Sequence, residues 1–167
     1  EIRGLQASAL EADDPGFFER LAAVEMASGA VVVTGPGLVL TITDAPEAAT
    51  TGDARFRVQD VDLQVVTNAL WAAGAEAIAV NGQRLTALSA IRSAGEAILV
   101  DLAPVLPPYR IEAVGDVRGM QTAFARSTAA SHLTYLTSSF GIAVETTSGT
   151  DLRLPGAPVG TLRHARP

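Results

Sequence analysis

The chain of 167 residues contains no cysteine, no lysine and only two histidines, His132 and His164. The missing cysteines exclude disulfide bonds, thiolate nucleophiles and cysteine-ligated metal sites. The two histidines do not have the sequence spacing of a metal-ligand pair. We therefore expect no metal site and no cofactor.

Positive charge is also scarce in this sequence. All 12 basic residues are arginines, and the 18 acidic residues give a net charge of −6. Such a chain has no basic surface for the phosphates of nucleic acid or anionic lipid, so we expect no nucleic-acid partner. No apolar run reaches the ~18–20 residues that span a bilayer. The sequence starts at Glu1 rather than at methionine, and we expect any membrane anchor to precede it.

Catalytic motifs are absent as well. The sequence has no G-x-S-x-G, H-E-x-x-H, Walker or G-x-G-x-x-G pattern in a suitable context. His132 has no acid–base partner near it in sequence, so we interpret it as a surface or capping residue. Asp60 and Asp62 could form a pair of catalytic carboxylates, but both lie at a predicted helix start, where negative charge is stabilising. We predict capping for both, no catalytic residue and no enzymatic activity.

The hydrophobic content of 48% is sufficient for one buried core in a chain of this length. We divide the chain into an N-terminal helical segment over residues 1–29, a single α+β domain over residues 30–155 and a flexible tail over residues 156–167.

The N-terminal segment contains two predicted helices, over residues 2–12 and 16–27. In the second helix, Phe17, Leu21 and Val24 recur at helical spacing. This spacing predicts an apolar stripe along one side of that helix.

Extended structure is predicted at the start of the α+β domain. Residues 30–33 and 38–43 form two strands, and the glycines and proline of residues 34–37 predict a tight reversal between them. Residues 44–58 carry proline, glycine, threonine and charge without periodicity. A connection of this kind is predicted to be a mobile loop.

A central helix is predicted over residues 60–73. Leu63, Val66 and Leu70 recur at the spacing of a buried stripe. Gly74 follows the stripe at the position where glycine commonly ends a helix.

Short strands and helices alternate through the rest of the domain. The Asn81-Gly82 pair favours a type I′ turn after a strand over residues 77–80. The later predicted elements are extended pieces at 89–92 and 97–100, a strand at 109–114, a helix capped by Asp116, a helix at 131–139, and a hairpin of 142–147 with 152–154.

This order of elements predicts an α+β fold. Its specific form is a ferredoxin-like split βαβ sandwich with additional hairpins and an N-terminal helix. The crossover helices would lie on one face of an antiparallel or mixed sheet and leave the other face free for a further layer or a partner.

Polar side chains concentrate just after the predicted 77–80 strand. Arg84 and Arg92 suit bidentate binding of a carboxylate or phosphate, and the alternative is that both satisfy carbonyl and carboxylate groups inside the protein. We expect internal pairing for Arg92 and a binding role for Arg84 at an exposed edge. The other candidate residues of this stretch are Asn81, Gln83 and Ser89.

Asn68 and Trp71 form a second candidate surface. They lie three residues apart on the predicted central helix, so their side chains are neighbours. Together they could form a small recognition face. The alternative is that a lone tryptophan fills the core or a contact between domains.

Four ordered motifs and two shorter matches resemble the bacterial domain-of-unknown-function family 881, over residues 22–154. The motifs are VTGPGLVLT (33–41), DVDLQVVTNALWAAGAEAI (60–78), VNGQRLT (80–86) and SAIR (89–92), and the shorter matches are PPY (107–109) and GD (115–116).

The resemblance implies a single-pass membrane protein of Gram-positive bacteria, including actinobacteria, with this domain outside the membrane. It implies no enzymatic activity, no cofactor and no established site. We therefore expect a non-catalytic interaction or scaffold domain of the cell envelope, linked to cell division or wall synthesis. Its partner would be an envelope protein, with a homodimer as one form of the assembly. The alternative is a sensory domain that binds a small anionic ligand, by analogy with other ferredoxin-like domains.

Overall fold

The computed structural model describes residues 16–158, so the predicted helix over 2–12 and His164 lie outside the described residues. Within this range the helices are α1 (Phe17–Ser28), α2 (Ala48–Thr51), α3 (Asp60–Ala72), α4 (Val117–Ala125) and α5 (Thr128–Phe140), with one 3-10 turn at Ala54–Phe56. The strands are β1 (Val33–Thr43), β2 (Ala77–Val80), β3 (Gln83–Arg84), β4 (Ile91–Ala94), β5 (Ala97–Val100), β6 (Ala103–Val105), β7 (Tyr109–Val114) and β8 (Ala143–Leu154).

The strands form two antiparallel sheets. The main sheet has the order β3-β2-β7-β1-β8, and the small sheet has the order β4-β5-β6. The connection from β1 to β2 runs through α3, and the connection from β7 to β8 runs through α4 and α5. Each connection joins two strands that have a third strand between them in the sheet. The helices in these connections cross over the sheet and pack on it, so helices and sheet form one domain. The predicted α+β class is confirmed.

The core lies between the main sheet and the helices α3, α4 and α5. Leu63, Val66 and Leu70 of α3 are fully buried, as the apolar spacing predicts. They belong to one cluster of buried side chains that also contains Leu40 of β1 and Leu133 of α5. This burial fixes α3 on the sheet and leaves its remaining faces for other contacts.

The start of α3 differs in detail from the prediction. Gln59 is the N-cap residue, and Asp62 completes a capping box by accepting the Gln59 backbone N–H at 2.8 Å. Capping by Asp62 is therefore correct, whereas Asp60 is the first helical residue and not the cap. The Asp60 carboxylate accepts the backbone N–H of Ser93 at 2.8 Å, which ties the helix to β4.

Strands β1 and β8 are each one long strand, and both predicted reversals within them are wrong. They pair antiparallel along almost their whole length, from Val33 opposite Leu154 to Thr43 opposite Ala143. Glycine and proline within β1 do not end the strand, because its backbone is held by partners on both sides, β7 and β8.

A β-bulge explains the glycines that resemble turn residues. Gly35 pairs with Leu152 and Gly37 pairs with Gly149, so β8 has one extra residue in this interval. A side chain at Gly37 would collide with the backbone carbonyl of Ala113 on β7. Glycine is therefore required at this position by close packing of two strands rather than by a reversal.

The segment 44–58, predicted to be a mobile loop, has defined structure. It contains α2 and the 3-10 turn. The Ala45 N–H donates to the Phe56 carbonyl at 2.9 Å, and the Val58 N–H donates to the Asp44 carboxylate at 2.8 Å. One-turn helices closed by such bonds carry no hydrophobic periodicity, so the sequence pattern does not reveal them.

Several local predictions are confirmed. Asn81 and Gly82 both have positive φ, at 46° and 78°, as a type I′ turn requires. Asp116 caps α4 by accepting the backbone N–H groups of Arg118 and Gly119. Over residues 16–158, no helix is both long enough and apolar enough to cross a bilayer.

Candidate functional site: a polar cleft beside Trp71

A cleft of about 490 Å³ lies between α3 and the segment of residues 85–91. Three of the seven predicted site residues, Asn68, Trp71 and Ser89, line it. The structure thus brings Ser89 next to Asn68 and Trp71, which the sequence pattern assigns to two separate candidate surfaces.

Helix α3 supplies one wall of the cleft. Gln64, Asn68 and Trp71 are spaced i, i+4 and i+7, so they follow one another along one side of the helix. The neighbouring side carries the buried stripe that fixes α3 on the sheet. Trp71 remains 38% exposed, and Asn68 is exposed. Trp71 is therefore neither a core residue nor fully covered by the domain.

The opposite wall is held by hydrogen bonds around Ser89. The Ser89 hydroxyl donates to the Asp101 carboxylate at 2.6 Å and accepts the Thr86 N–H at 2.9 Å. The second oxygen of Asp101 accepts the Ala90 N–H at 2.9 Å. These bonds fix the shape of a segment that lacks regular secondary structure.

One hydrogen bond joins the two walls. The Gln64 side-chain amide donates to the Ile91 carbonyl at 2.7 Å. Because this bond links α3 to the start of β4, the width of the cleft is set before any ligand binds.

The side chains that line the cleft are all uncharged. The polar ones are amides and hydroxyls, from Gln64, Thr67, Asn68, Thr86 and Ser89. Among the groups that are hydrogen-bonded to the lining side chains, the acidic one is the Asp101 carboxylate, which accepts from Ser89. The site is therefore suited to a neutral polar ligand and not to an anion.

Arg84 does not lie at an exposed edge, and the prediction that placed it there is wrong. It is only 6% exposed, and its Nη1 donates to the carbonyls of Val31 and Pro155, both at 3.2 Å. Burial lowers the pKa of the guanidinium. Its Nε is buried and has no hydrogen-bond partner among the described residues. Arg84 thus joins the segment before β1 and the segment after β8 to β3.

Arg84 also lines a second cavity of about 380 Å³, on which Trp71 borders as well. Glu76 and Met26 contribute to the same cavity. The Glu76 carboxylate offsets the charge of the Arg84 guanidinium in this wall, so the cavity offers no net positive charge to the predicted anionic ligand.

Arg92 lies on β4 and is exposed. Within residues 16–158 its side chain makes no hydrogen bond or ion pair, so the expected internal pairing of Arg92 is wrong. The two arginines therefore do not converge on one cleft, and the structure does not favour the anionic-ligand alternative.

Asn81 and Gln83 lie outside the cleft. The Asn81 side chain accepts the Arg110 N–H at 2.7 Å and donates to the Leu106 carbonyl at 2.7 Å, so it holds the turn against the start of β7. Gln83 is half-buried in β3 and pairs with Val80. Both residues act in strand pairing.

Sequence reasoning missed Gln64 and Thr86 in the cleft, and it missed the partner of His132. Gln64 could have been identified from the sequence, because it lies at helical spacing from Asn68 and Trp71. Asp62 lies 2.6 Å from the His132 ring although the two are 70 residues apart in sequence, and no local signal reveals such a pair. Among the described residues, no cluster of three or more histidine and acidic side chains could hold a metal ion.

Comparison with known proteins places these observations in a family. The profile of a family described as "Bacterial protein of unknown function (DUF881)" matches residues 20–166. The UPF0749 protein Rv1823 of Mycobacterium tuberculosis (strain H37Rv) is 37% identical over 164 residues, which are 93% of this chain and 53% of the relative. The UPF0749 protein YlxW of Bacillus subtilis (strain 168) is 37% identical over 91 residues, which are 53% of this chain and 38% of the relative.

The fold is also similar to a solved structure. The crystal structure of an uncharacterized conserved protein from Mycobacterium tuberculosis matches with a TM-score of 0.70 and 27% identity, covering 89% of this chain and 99% of the other. Nearly the whole of this chain matches the mycobacterial relative, but the match spans only about half of that relative's length. The resemblance inferred from the sequence motifs is confirmed.

Proposed function

This chain belongs to the bacterial family of unknown function DUF881, and we propose that it is a non-catalytic interaction domain of a membrane-anchored envelope protein that pairs with a second copy through α1. The observation that carries this proposal is the exposure of α1. None of its 12 residues is buried, and Leu21 and Val24 are 40% and 64% exposed.

A helix of this kind is not stable by itself. Isolated helices shorter than ~12–15 residues are marginal in water, and helices in proteins gain most of their stability from packing an apolar face. Helix α1 has such a face but packs little of it on its own domain. A partner that covers the face would supply the missing packing energy.

A second copy fits this face. Phe17, Leu21, Val24 and Ser28 are spaced four, three and four residues apart, which is the spacing of a coiled-coil seam. The seam carries no charge, so two identical seams can face each other about a two-fold axis. Met26 lies on the other side of the helix and, with Ala27 and Ser28 at the helix end, lines the cavity next to Arg84. Leu21 and Val24 do not line this cavity, so the middle of the seam stays open to a partner.

Cysteine cross-linking tests this arrangement, because the chain has no cysteine of its own. In a parallel dimer, Val24→Cys places two thiols across the seam, and mild oxidation should yield a covalent dimer. Ala22→Cys lies on the same helix but off the seam and serves as the matched control. Equal cross-linking of both variants, or of neither, would contradict the proposed seam.

The proposal includes the location of the domain outside the membrane. It is supported by the extra sequence of the relatives, which leaves room for an anchor in the longer protein. In the full-length protein, Arg92→Cys at an exposed site of β4 should react in intact cells with a maleimide that cannot cross membranes. Labelling only after lysis would place the domain in the cytoplasm and contradict this part.

The absence of catalysis is also a proposal. It is supported by the contacts of His132, whose ring bonds to Asp62 and to no serine or threonine hydroxyl among the described residues. Activity on ester, phosphate or peptidoglycan substrates that disappears in His132→Ala would overturn it. We propose that the dimer binds proteins of cell division or of wall synthesis. Affinity capture with the anchored full-length protein should recover one of these two sets of proteins. Recovery of neither set would contradict the proposed link.

The ferredoxin-like class of the main sheet belongs to the proposal too. The order β2-β7-β1-β8 supports it, with crossovers through α3 and through α4–α5, because the two β-α-β units then interleave in one antiparallel sheet.

A further inference from the structure

We propose that the cleft between α3 and residues 85–91 binds a neutral sugar ring, with Trp71 as its stacking surface. This site is independent of the seam on α1. Three properties of the cleft suit such a ligand: a partly exposed aromatic residue, unused amide groups and the absence of charged lining side chains.

The aromatic face comes from Trp71. Trp71 lines the cleft and also borders the cavity beside Arg84, and the residue as a whole is 38% exposed. The face of an aromatic ring is electron-rich and attracts the weakly positive C–H groups of an apolar surface. A sugar ring has such a C–H surface on one side and hydroxyl groups around its edge, so it can stack on the indole and still present its hydroxyls to polar groups.

The polar groups for those hydroxyls come from two amides of the same helix. The Asn68 side chain is exposed and makes no hydrogen bond within residues 16–158, so its N–H groups and its oxygen are all available. Gln64 uses one N–H on the Ile91 carbonyl, which leaves its amide oxygen as an acceptor. Amides offer donors and acceptors together, which matches hydroxyl groups that both donate and accept.

The lack of charge disfavours ionic ligands. No lining side chain is ionised, and the Asp101 carboxylate lies directly behind Ser89. Phosphorylated or carboxylated ligands would find no cation here and would be repelled by Asp101. A neutral ligand with many hydroxyls remains as the class that fits.

The size and rigidity of the cleft agree with this class. Its volume of about 490 Å³ falls within the ~300–1,000 Å³ range of small-molecule sites. The Gln64–Ile91 bond and the Ser89–Asp101 bond hold both walls in place. A preformed site reduces the entropy that a small polar ligand must lose on binding.

Tryptophan fluorescence tests the proposal directly, because Trp71 is the only tryptophan of the chain. Glucose, galactose and N-acetylglucosamine, as single sugars and as short oligomers, should each be titrated, and at least one should change the emission saturably. Asn68→Ala keeps the fluorophore and replaces an exposed side chain, so the variant should melt with the wild type but bind ~2–10-fold more weakly. Arg92→Ala, outside the cleft, is the matched control and should bind like the wild type.

The same series of experiments distinguishes a free sugar from a sugar within a polymer. Cosedimentation with purified, insoluble cell-wall glycan tests a polymeric ligand, and the titrations test a free sugar. Asn68-dependent binding in either arm supports the proposal. It is overturned if neither arm shows binding, if Asn68→Ala binds as tightly as the wild type, or if only sulfate, glucose 6-phosphate or adenosine changes the emission.

Trp71→Ala provides a second test with a different readout. Sugar-induced amide shifts in ¹H–¹⁵N spectra should be present in the wild type and absent in this variant, whose spectrum must otherwise show a folded domain. Persistent shifts around residues 85–91 in the folded variant would overturn the stacking role of Trp71.

Discussion

The Nε2 atom of His132 lies 2.6 Å from the Oδ1 atom of Asp62, which joins α5 to the first turn of α3. Asp62 is only 3% exposed, and its other carboxylate oxygen accepts the Gln59 N–H at 2.8 Å. Both oxygens of a buried carboxylate are therefore satisfied, one within the helix cap and one by the His132 ring of α5.

Replacing Asp62 should destabilise the domain. Asp62→Ala leaves the half-buried Gln59 N–H and the His132 ring without their acceptor, and each lost hydrogen bond costs ~0.5–1.5 kcal/mol. Chemical denaturation measures the loss. A double-mutant cycle with His132→Ala should give a coupling energy of ~0.5–3 kcal/mol. Additive effects of the two substitutions would mean that the contact contributes nothing to stability.

Shortening Leu70 should open a cavity in the centre of the core. Leu70 is fully buried between α3 and the sheet, so Leu70→Ala should cost ~2–5 kcal/mol through lost burial and the remaining cavity. Val61→Ala on the exposed side of the same helix is the control and should change stability by no more than ~0.5 kcal/mol. A Leu70→Ala protein that melts within a degree of the wild type would contradict the position of α3.

The contrast between Leu70 and Arg84 shows what the sequence can and cannot indicate. The stripe of α3 repeats every three or four residues, so its burial follows from local spacing. The burial of Arg84 depends on the carbonyls of Val31 and Pro155, which are 53 and 71 residues away in sequence. No local pattern encodes contacts of that range.

The errors in the strands have the same origin. The glycines of β1 are compatible with a turn or with a bulge, and only the pairing with β8 decides between them. In the cleft, Asn68 and Trp71 share a helix and could be grouped from the sequence. The loop that faces them could not, because side-chain bonds to Asp101 determine its shape.

Alanine substitution should lower the stability of the domain at Arg84 but not at Arg92. Arg84→Ala removes two bonds from a buried charged donor to the carbonyls of Val31 and Pro155 and should cost ~1–3 kcal/mol. Arg92→Ala removes an exposed side chain and should change stability by less than ~0.5 kcal/mol. Arg84→Met keeps the apolar part of the side chain and should be milder than alanine. Thermal melts of the three proteins measure these differences, and a destabilised Arg92→Ala beside an unchanged Arg84→Ala would reverse the assignment.

Tyr109 should make stability fall at alkaline pH. Burial raises the pKa of its phenol, the charge of Asp44 raises it further, and Arg57 partly offsets this. Because the folded-state pKa lies above the unfolded value of ~10, this contribution is intact below pH ~10 and is lost as the pH rises through the folded-state value.

Tyr109→Phe removes this titration, so it should flatten the alkaline part of the stability curve. Tyr135→Phe replaces the other tyrosine, which is 55% exposed, and provides the comparison. Denaturation midpoints between pH 8 and pH 11 measure the effect. If both variants lose stability as steeply as the wild type, the titration of Tyr109 does not control the alkaline limit.

Sedimentation equilibrium of this chain over a range of concentrations is the decisive experiment for the proposed interaction domain. The wild type should show a reversible monomer–dimer equilibrium, because pairing covers the exposed Leu21 and Val24 of α1. Leu21→Glu should be monomeric at every concentration, whereas Ala22→Glu, with the same added charge one residue off the seam, should dimerise like the wild type. A wild type that stays monomeric, or a dimer that survives Leu21→Glu, would contradict pairing through α1.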